Sequence, residues 1–153
     1  MIVFRTCGFS HSDDISGESA KNQHENRWNS FGVPMLYTSE SAALCALEIH
    51  EHLPPNCIPD NYRLLEIEIP DDELLYVDDD FFEDQDWVDD IATTQAIGNY
   101  FIKNTEFLIM KVPSAWVFSC WNYLINPNHK DFNKVKIIKN TLFPIEGKLF
   151  SKK

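Results

Sequence analysis

The chain has 153 residues, of which 44% are hydrophobic and 13% aromatic, so it is long and apolar enough to bury the core of one domain. Its formal net charge is -11; 11 of its 24 acidic residues lie between positions 71 and 90, and the other 13 are matched by 13 Lys and Arg. This balance argues against a nucleic-acid duplex or an anionic membrane surface as a direct partner, since both need a basic footprint, whereas a basic protein partner fits.

The first third of the chain predicts two short strands separated by a long loop. Residues 2–7 alternate loosely between apolar and polar side chains and predict the first strand. Residues 8–26 are dominated by Gly, Ser, Asp, Asn and His, which predicts a long surface loop of a kind that is often functional. A turn signal at Gly32, Val33 and Pro34 precedes residues 35–37, which predict the second strand.

The next segment, residues 40–52, predicts a helix. Thr38 and Ser39 are placed to cap its start, and Pro54 and Pro55 end it. A helical wheel places Glu48 on one stripe with five other residues, which leaves open whether this stripe faces solvent or a site. These residues are Ser41, Leu44, Cys45, Glu51 and His52.

Residues 62–69 form the clearest strand pattern, because Leu65, Ile67 and Ile69 fall on one face and Glu66 and Glu68 on the other. The acidic segment that follows, residues 71–90, predicts a folded surface element rather than a disordered tail, since its acids are interspersed with apolar residues. Its seven apolar anchors are Leu74, Leu75, Tyr76, Val77, Phe81, Phe82 and Trp87. We expect this surface to face either solvent or a partner.

The C-terminal half predicts a helix over residues 90–103 and strands over 107–112, 117–124 and 135–138. Strands outnumber helices without a strand–helix–strand rhythm, and no linker or repeat interrupts the chain. The sequence therefore predicts a single α+β domain over residues 1–153.

Four cysteines at positions 7, 45, 57 and 120 form no CxxC pair, and the N-terminus lacks the basic start and apolar run of a signal peptide. No apolar run approaches the ~20 residues of a membrane span. These features predict a reduced, cytoplasmic protein without a membrane segment.

Standard signatures of chemistry are missing from the sequence. His50 and His52 would point about 200° apart on a helix, and no third ligand follows at a zinc-like spacing, so we expect no metal site. There is no phosphate loop, no GxGxxG and no Gly-x-Ser-x-Gly elbow. Three polar residues, Arg27, Glu48 and Ser114, do interrupt apolar surroundings. Each has a plain structural explanation as well: a surface ion pair, a solvated face and a turn hydroxyl, respectively.

The order and spacing of several motifs resemble those of the RES-domain family, whose name records an Arg, a Glu and a Ser. The resemblance runs from Arg5 to about His129, and the residues Glu146-Gly147-Lys148 depart from the Asp-x-Arg that the family tends to have near its C-terminus. The matching motifs are Arg27-Trp28-Asn29 with Gly32, Leu36-Tyr37-Thr38-Ser39 leading into Ala43-x-x-Ala46-x-Glu48, Thr94-Gln95-x-x-Gly98, Val112-Pro113-Ser114-Ala115 and Asn122-Tyr123-x-x-Asn126-Pro127.

This resemblance implies an ADP-ribosyltransferase-like fold, with a split antiparallel sheet and flanking helices, in a bacterial toxin of a type II toxin–antitoxin pair. The implied activity is cleavage of the nicotinamide–ribose bond of NAD, by hydrolysis or phosphorolysis, with NAD as substrate and no cofactor. The implied partner is a cognate Xre-like antitoxin, and a homodimer within that complex is left open. Two alternatives remain: transfer of ADP-ribose to a protein, and a non-catalytic module that binds a protein through the acidic segment.

The resemblance also implies residue roles. Glu48 would hold the ribose hydroxyls and stabilise the developing positive charge, while Arg27 and Arg5 would bind the pyrophosphate or the adenosine-side ribose. Catalytic roles are implied for Glu48, Arg27 and Tyr37, and Tyr37 would stack on nicotinamide. The implied NAD-binding residues are Arg5, Arg27, Trp28, Asn29, Tyr37, Ser114 and Asn122.

Overall fold

The computed structural model describes residues 1–24, 26–52, 61–71, 74–82, 86–104 and 106–143. Seven strands and three α-helices make up these ranges, together with single 3-10 turns at Phe9–His11, Asp79–Phe81 and Phe132–Lys134. In chain order they are β1 (Ile2–Gly8), α1 (Glu18–Lys21), β2 (Leu36–Ser39), α2 (Ala42–His52), β3 (Tyr62–Glu68), β4 (Leu75–Tyr76), α3 (Ile91–Asn104), β5 (Ile109–Pro113), β6 (Trp121–Ile125) and β7 (Lys136–Leu142).

The strands form one sheet in the order β4-β5-β6-β2-β1-β3-β7. Every neighbouring pair is antiparallel except β4 and β5, which run parallel. β1 and β2 are joined only where Phe4 pairs with Ser39, whereas β1 and β3 pair along seven positions. The sheet is therefore split into two halves that meet at a single bridge, and the predicted α+β class with a split sheet is confirmed.

The alternation predicted for β3 explains how one half of the sheet is anchored. Leu65 and Ile67 are fully buried, and Glu66 faces outward to an ion pair with Lys139 of β7 at 2.8 Å. These apolar residues join the first core cluster with Val3 of β1. Burial of one face of a period-2 pattern fixes the strand register, because a shift by one residue would expose every core side chain.

The second core cluster lies between α3 and the other half of the sheet. Phe101 of α3 packs with Met110 of β5 and Leu124 of β6, and Trp28 and Met35 fill the space from the loop before β2. The chain just before β2 therefore packs between α3 and the sheet, and this packing fixes the residues beside Trp28.

Several predicted boundaries were wrong. The strand predicted over 117–124 begins only at Trp121, because Ser114–Cys120 closes a tight turn in which the Ser114 N–H donates to the Cys120 carbonyl at 2.8 Å. Ser119 adopts a positive φ of 63° there, which ends strand geometry. The helix cap is Ser41, whose hydroxyl accepts from the Leu44 N–H, and not Thr38 or Ser39, which belong to β2.

Other elements differ in smaller ways. The loop predicted over 8–26 contains α1 and the first 3-10 turn, and the strands predicted over 35–37, 107–112 and 135–138 are displaced or extended at their ends. The helices predicted over 40–52 and 90–103 begin at Ala42 and Ile91. The predicted stop at Pro54 and Pro55 lies outside the described residues.

The acidic segment is folded, as predicted, over its described residues. Val77 and Trp87 are buried in the second core cluster, whereas Phe81 is 58% exposed and Tyr76 is also exposed. Cys7, Cys45 and Cys120 are free thiols, and Cys57 lies outside the described residues. None of the helices in the described ranges is long and apolar enough to cross a membrane.

Candidate active site

Glu48 lies in the middle of α2, and its carboxylate faces the sheet. Leu44 and Cys45, one turn earlier, are buried, so this side of the helix is not a solvated face. The Asn122 side-chain amide donates to Glu48 Oε1 at 2.6 Å, and the Ser114 hydroxyl donates to the same oxygen at 3.2 Å. The Ser39 hydroxyl lies 3.4 Å from Oε2. Two neutral donors and a third nearby hydroxyl thus surround one half-buried carboxylate.

The sheet register brings these donors together from three strands. Ser39 ends β2 directly opposite Asn122 of β6, and Val112 of β5 pairs with Asn122 from the other side. Ser114 follows β5 immediately, and its hydroxyl also accepts from the N–H groups of Trp116 and Val117 at 3.2 and 3.3 Å. The ends of β2, β5 and β6 therefore form a rigid platform under α2.

Arg27 lies beside this platform. Its guanidinium donates to the carbonyl of Val88 and lies 5.9 Å from the Trp87 ring centroid. Burial lowers the pKa of Arg27, while the charges of Asp89, Tyr37 and Glu48 oppose that shift. Arg27 is thus within electrostatic range of Glu48, and the hydrogen bond that it makes goes to a carbonyl and not to a surface carboxylate.

Helix α3 holds the segment that carries Arg27. Thr94 Oγ1 donates to the Arg27 carbonyl at 2.7 Å, and Gln95 Nε2 donates to the Asn26 carbonyl at 2.7 Å. A Cβ atom at Gly98 would lie 1.7 Å from the Trp28 carbonyl oxygen, so only glycine permits this approach of helix and loop. Residues 26–30, which we call the Arg27 segment, are therefore fixed through their backbone.

Tyr37 of β2 also holds the Arg27 segment in place. Its hydroxyl donates to Asn29 Oδ1 at 2.7 Å and accepts from the Trp28 N–H at 3.0 Å. Burial raises the pKa of Tyr37, so the phenol stays protonated. Trp28 is 2% exposed and Asn29 is fully buried, which leaves neither side chain open to a ligand. Their position supports Arg27 and Tyr37 from the core.

Comparison with known proteins identifies the family of this fold and site. The RES domain profile matches residues 2–146. The chain belongs to the RES domain family. It is similar to the protein named Toxin Res of Pseudomonas putida, with 30% identity over 156 residues covering 98% of this chain and 100% of that one. It is also similar to the Prs ADP-ribosylating toxin of a Sphingobium species, with 34% identity over 84% of this chain and 81% of that one.

A solved structure shares the fold of this RES domain. It belongs to the MbcT-MbcA toxin-antitoxin complex of M. tuberculosis, with a TM-score of 0.74 and 20% identity over 97% of this chain and 86% of that chain. At this identity the likeness extends to the fold alone.

The RES domain places Arg5 apart from the Glu48 cluster. Arg5 lies on β1, in the other half of the sheet, and donates to the Asp14 carbonyl at 3.2 Å. Burial lowers the pKa of Arg5, and the charges that oppose this shift come from Cys7, Asp14 and Cys45. The hydrogen bonds of Arg5 and Arg27 thus go to backbone carbonyls in different parts of the chain, Asp14 for Arg5 and Val88 for Arg27.

Sequence reasoning missed Ser39 as a site residue. It was assigned to a helix cap, whereas its hydroxyl lies within hydrogen-bonding distance of both Asn122 and Glu48. A serine directly before a predicted helix gives no signal that separates these roles. Over the described ranges no three His, Cys, Asp or Glu side chains come together as metal ligands.

The arrangement provides a carboxylate for contact with a cation or with hydroxyl groups. An ionised carboxylate has about four acceptor positions, of which the donors at 2.6 and 3.2 Å occupy positions on Oε1. Among the described residues, Oε2 has the 3.4 Å contact with Ser39 alone. A half-buried carboxylate with free acceptor capacity, within electrostatic range of a guanidinium, suits an anionic ligand that carries hydroxyl groups and develops positive charge.

Proposed function

We propose that this RES domain is the toxin of a toxin–antitoxin pair and that it cleaves the nicotinamide–ribose bond of NAD by hydrolysis or phosphorolysis. The observation that carries the proposal is the Glu48 carboxylate, held by Asn122 and Ser114 with one oxygen left accessible and Arg27 within electrostatic range. The relatives named Toxin Res and Prs ADP-ribosylating toxin support this assignment.

Cleavage of the nicotinamide–ribose bond requires a carboxylate near the ribose rather than a general acid. Nicotinamide in NAD is already cationic and leaves without protonation, so the transition state is oxocarbenium-like. Glu48 accepts hydrogen bonds from the ribose hydroxyls and faces the positive charge that develops on the sugar. This interaction is stronger in the transition state than in the ground state, and it therefore raises the rate.

The two arginines supply positive charge for the anionic part of NAD. Arg27 presents its guanidinium beside Glu48, where a planar donor matches two phosphate oxygens, and Arg5 extends this field on the far side of Cys45. Tyr37 lines the nicotinamide side as a neutral phenol. Ser114 and Asn122 orient Glu48 and bind the nearby ribose or amide, while Trp28 and Asn29 support the Arg27 segment from the core.

Transfer of ADP-ribose to a protein is the second candidate, because one relative carries the name ADP-ribosylating toxin. The same bond of NAD breaks in both reactions, and a target side chain replaces water or phosphate as acceptor. Incubation with labelled NAD and a cell lysate separates them: label on a protein band favours transfer, and free ADP-ribose or its phosphate favours degradation. An NAD pool that stays intact on expression would favour the third candidate, a non-catalytic binding module.

The decisive variant is Glu48→Gln. It keeps the shape of the side chain and an oxygen that accepts from Asn122 and Ser114, but removes the charge. We expect nicotinamide release to fall by about 10²-fold or more, as for loss of other groups that stabilise transition-state charge, and growth inhibition to disappear with it.

Glu40→Gln is the matched control, because Glu40 is a half-buried carboxylate at the junction of β2 and α2 that faces Cys120 and not Asn122. Nicotinamide release should be unchanged in this variant. A Glu48→Gln protein that is folded and releases nicotinamide at the wild-type rate would remove Glu48 from the mechanism.

The partner and compartment follow from the same proposal. We propose a cognate Xre-like antitoxin, supported by the toxin-antitoxin complex of the structural neighbour, and a cytoplasmic site of action, where the NAD pool is available. A reading frame for a small helix-turn-helix protein beside this gene, whose co-expression restores growth, would support the pairing. Failure of every neighbouring frame to restore growth would reject it.

A further inference from the structure

Ser39 occupies the junction between the two halves of the sheet. It pairs with Phe4 of β1 at the single bridge and with Asn122 of β6 on its other side. Its side chain is 3% exposed and points, by strand alternation, to the same face as Tyr37. The hydroxyl therefore lies inside the protein, next to the platform that holds Glu48.

Asn122 Oδ1 is the nearest oxygen acceptor for the hydrogen of this hydroxyl among the described residues. Ser39 Oγ lies 2.8 Å from Asn122 Oδ1 and 3.4 Å from Glu48 Oε2. A hydroxyl donates one hydrogen only, and the shorter contact has the better geometry, so the hydrogen goes to Asn122. With its oxygen bound to Ser39, the Asn122 amide must present its NH₂ group to Glu48 Oε1, where the distance is 2.6 Å.

The surroundings of Ser39 favour this arrangement. Cys45, on the face of α2 that contacts Ser39, is 4% exposed, and burial raises the pKa of its thiol to about 12. The thiol is therefore neutral at physiological pH and does not compete as an anion for the Ser39 hydrogen. Arg27 and, from the turn before β6, Cys120 also lie within electrostatic range of Glu48.

We infer that Ser39 is a positioning residue for catalysis: its hydroxyl locks the Asn122 amide so that the amide donates to Glu48 and keeps that carboxylate correctly oriented. This inference rests on the proposed function of Glu48. Without the hydroxyl, Asn122 Oδ1 loses this partner. The amide is then free to rotate out of the position in which its NH₂ group donates to Glu48 Oε1.

The test compares Ser39→Ala with Ser39→Thr, which keeps a hydroxyl, and with Thr38→Val as the matched control. Thr38 is the adjacent buried hydroxyl of β2, but it faces the opposite side of the sheet and donates to the Tyr123 carbonyl at 2.6 Å. We expect kcat for nicotinamide release to fall roughly tenfold to a hundredfold in Ser39→Ala, as for loss of a hydrogen bond to a charged group. KM for NAD should change little.

The split between kcat and KM separates positioning from a merely structural role. In Ser39→Ala kcat should fall while KM stays nearly constant, whereas Ser39→Thr should restore the wild-type kcat. Thr38→Val should lower thermal stability and leave kcat unchanged. A kcat that is unchanged in a folded Ser39→Ala protein would overturn the inference.

A readout without turnover keeps this result distinct from a failure of the proposed function. In ¹⁵N NMR spectra the Asn122 side-chain NH₂ signals, assigned by their loss in Asn122→Ala, should exchange slowly with solvent in the wild type and rapidly in Ser39→Ala. Equal exchange in both proteins would overturn the role of Ser39. A wild-type protein that does not cleave NAD, yet shows the exchange difference, would retain the lock on the amide and overturn its catalytic purpose together with the proposed function.

Discussion

Gly98→Ala, which adds one methyl group, tests how closely α3 packs against the Arg27 segment. Gly98 lies in α3, where a Cβ atom would meet the Trp28 carbonyl oxygen at 1.7 Å and the Trp28 carbonyl carbon at 2.8 Å. Ordinary van der Waals contact begins at 3.4 Å. In Gly98→Ala the helix and the Arg27 segment must therefore move apart by roughly 1.5 to 2 Å, since the obstacle is backbone and not the flexible end of a side chain.

The sign of the change in the free energy of unfolding tests this contact. Alanine is better than glycine in a helix interior by about 1 kcal/mol, so Gly98→Ala in an isolated helix would be stabilising. Overpacking against a fixed backbone costs about 1 to 3 kcal/mol, and an overlap this deep belongs at the upper end of that range. The net change is a loss of about 2 kcal/mol, which lowers Tm by about 4 to 8 °C for a chain of this size.

The same displacement should reduce activity, because Thr94 and Gln95 hold the carbonyls of Arg27 and Asn26 from this helix. A shift on the order of 1 Å in a positioning element reduces kcat/KM by up to about 10²-fold. Thermal unfolding and nicotinamide release measure the two effects. Ala96→Gly, at an exposed position of α3, is the control: it should lose about 1 kcal/mol of stability through helix propensity and keep kcat/KM. A Gly98→Ala protein with an equal or higher Tm would refute the argument.

Two further predictions concern the charged groups. Arg27→Lys keeps the charge but not the planar donor, so the Kd for NAD should rise roughly tenfold. Calorimetry in a Glu48→Gln background measures this Kd. An unchanged value would assign Arg27 a structural role. Neutralising Asp78, Asp79 and Asp80 to Asn should reduce the salt dependence of the association rate with the proposed antitoxin and leave NAD cleavage unchanged, because electrostatic steering acts mainly on association. Stopped-flow rates that match those of the wild type at every salt concentration would reject the acidic segment as a docking surface.

The fold was predictable where the hydrophobic periodicity of the sequence matches the burial of the side chains in the structure. The strict alternation in β3 and the long apolar pattern of α2 gave correct elements, because each pattern fits one geometry only. The pattern around Val117 failed for the opposite reason. Valine and phenylalanine favour strands, but Ser114 closes a turn onto Cys120, and this hydrogen bond outweighs the strand propensity of the residues inside the turn.

The site was predictable from ordered motifs, and its inner organisation was not. The resemblance pointed to Glu48, Ser114 and Asn122, which the structure brings into one hydrogen-bonded cluster. It also pointed to Trp28 and Asn29, which are buried and support the site from within. A motif records that residues occur together, and it does not separate those that face a ligand from those that hold their neighbours in place.

The acidic segment has an inner and an outer side, and this explains how a chain with a net charge of -11 can bind the anionic substrate that we propose. Its inner side contributes Trp87 and the Val88 carbonyl to the surroundings of Arg27. Its outer side carries exposed acids, and at physiological salt exposed charges more than about 8 Å away are largely screened. Asp89 acts on Arg27 in the opposite sense to burial, because its charge favours the protonated guanidinium. The segment therefore holds the Arg27 guanidinium in place through the Val88 carbonyl and Trp87, whichever partner binds to its outer side.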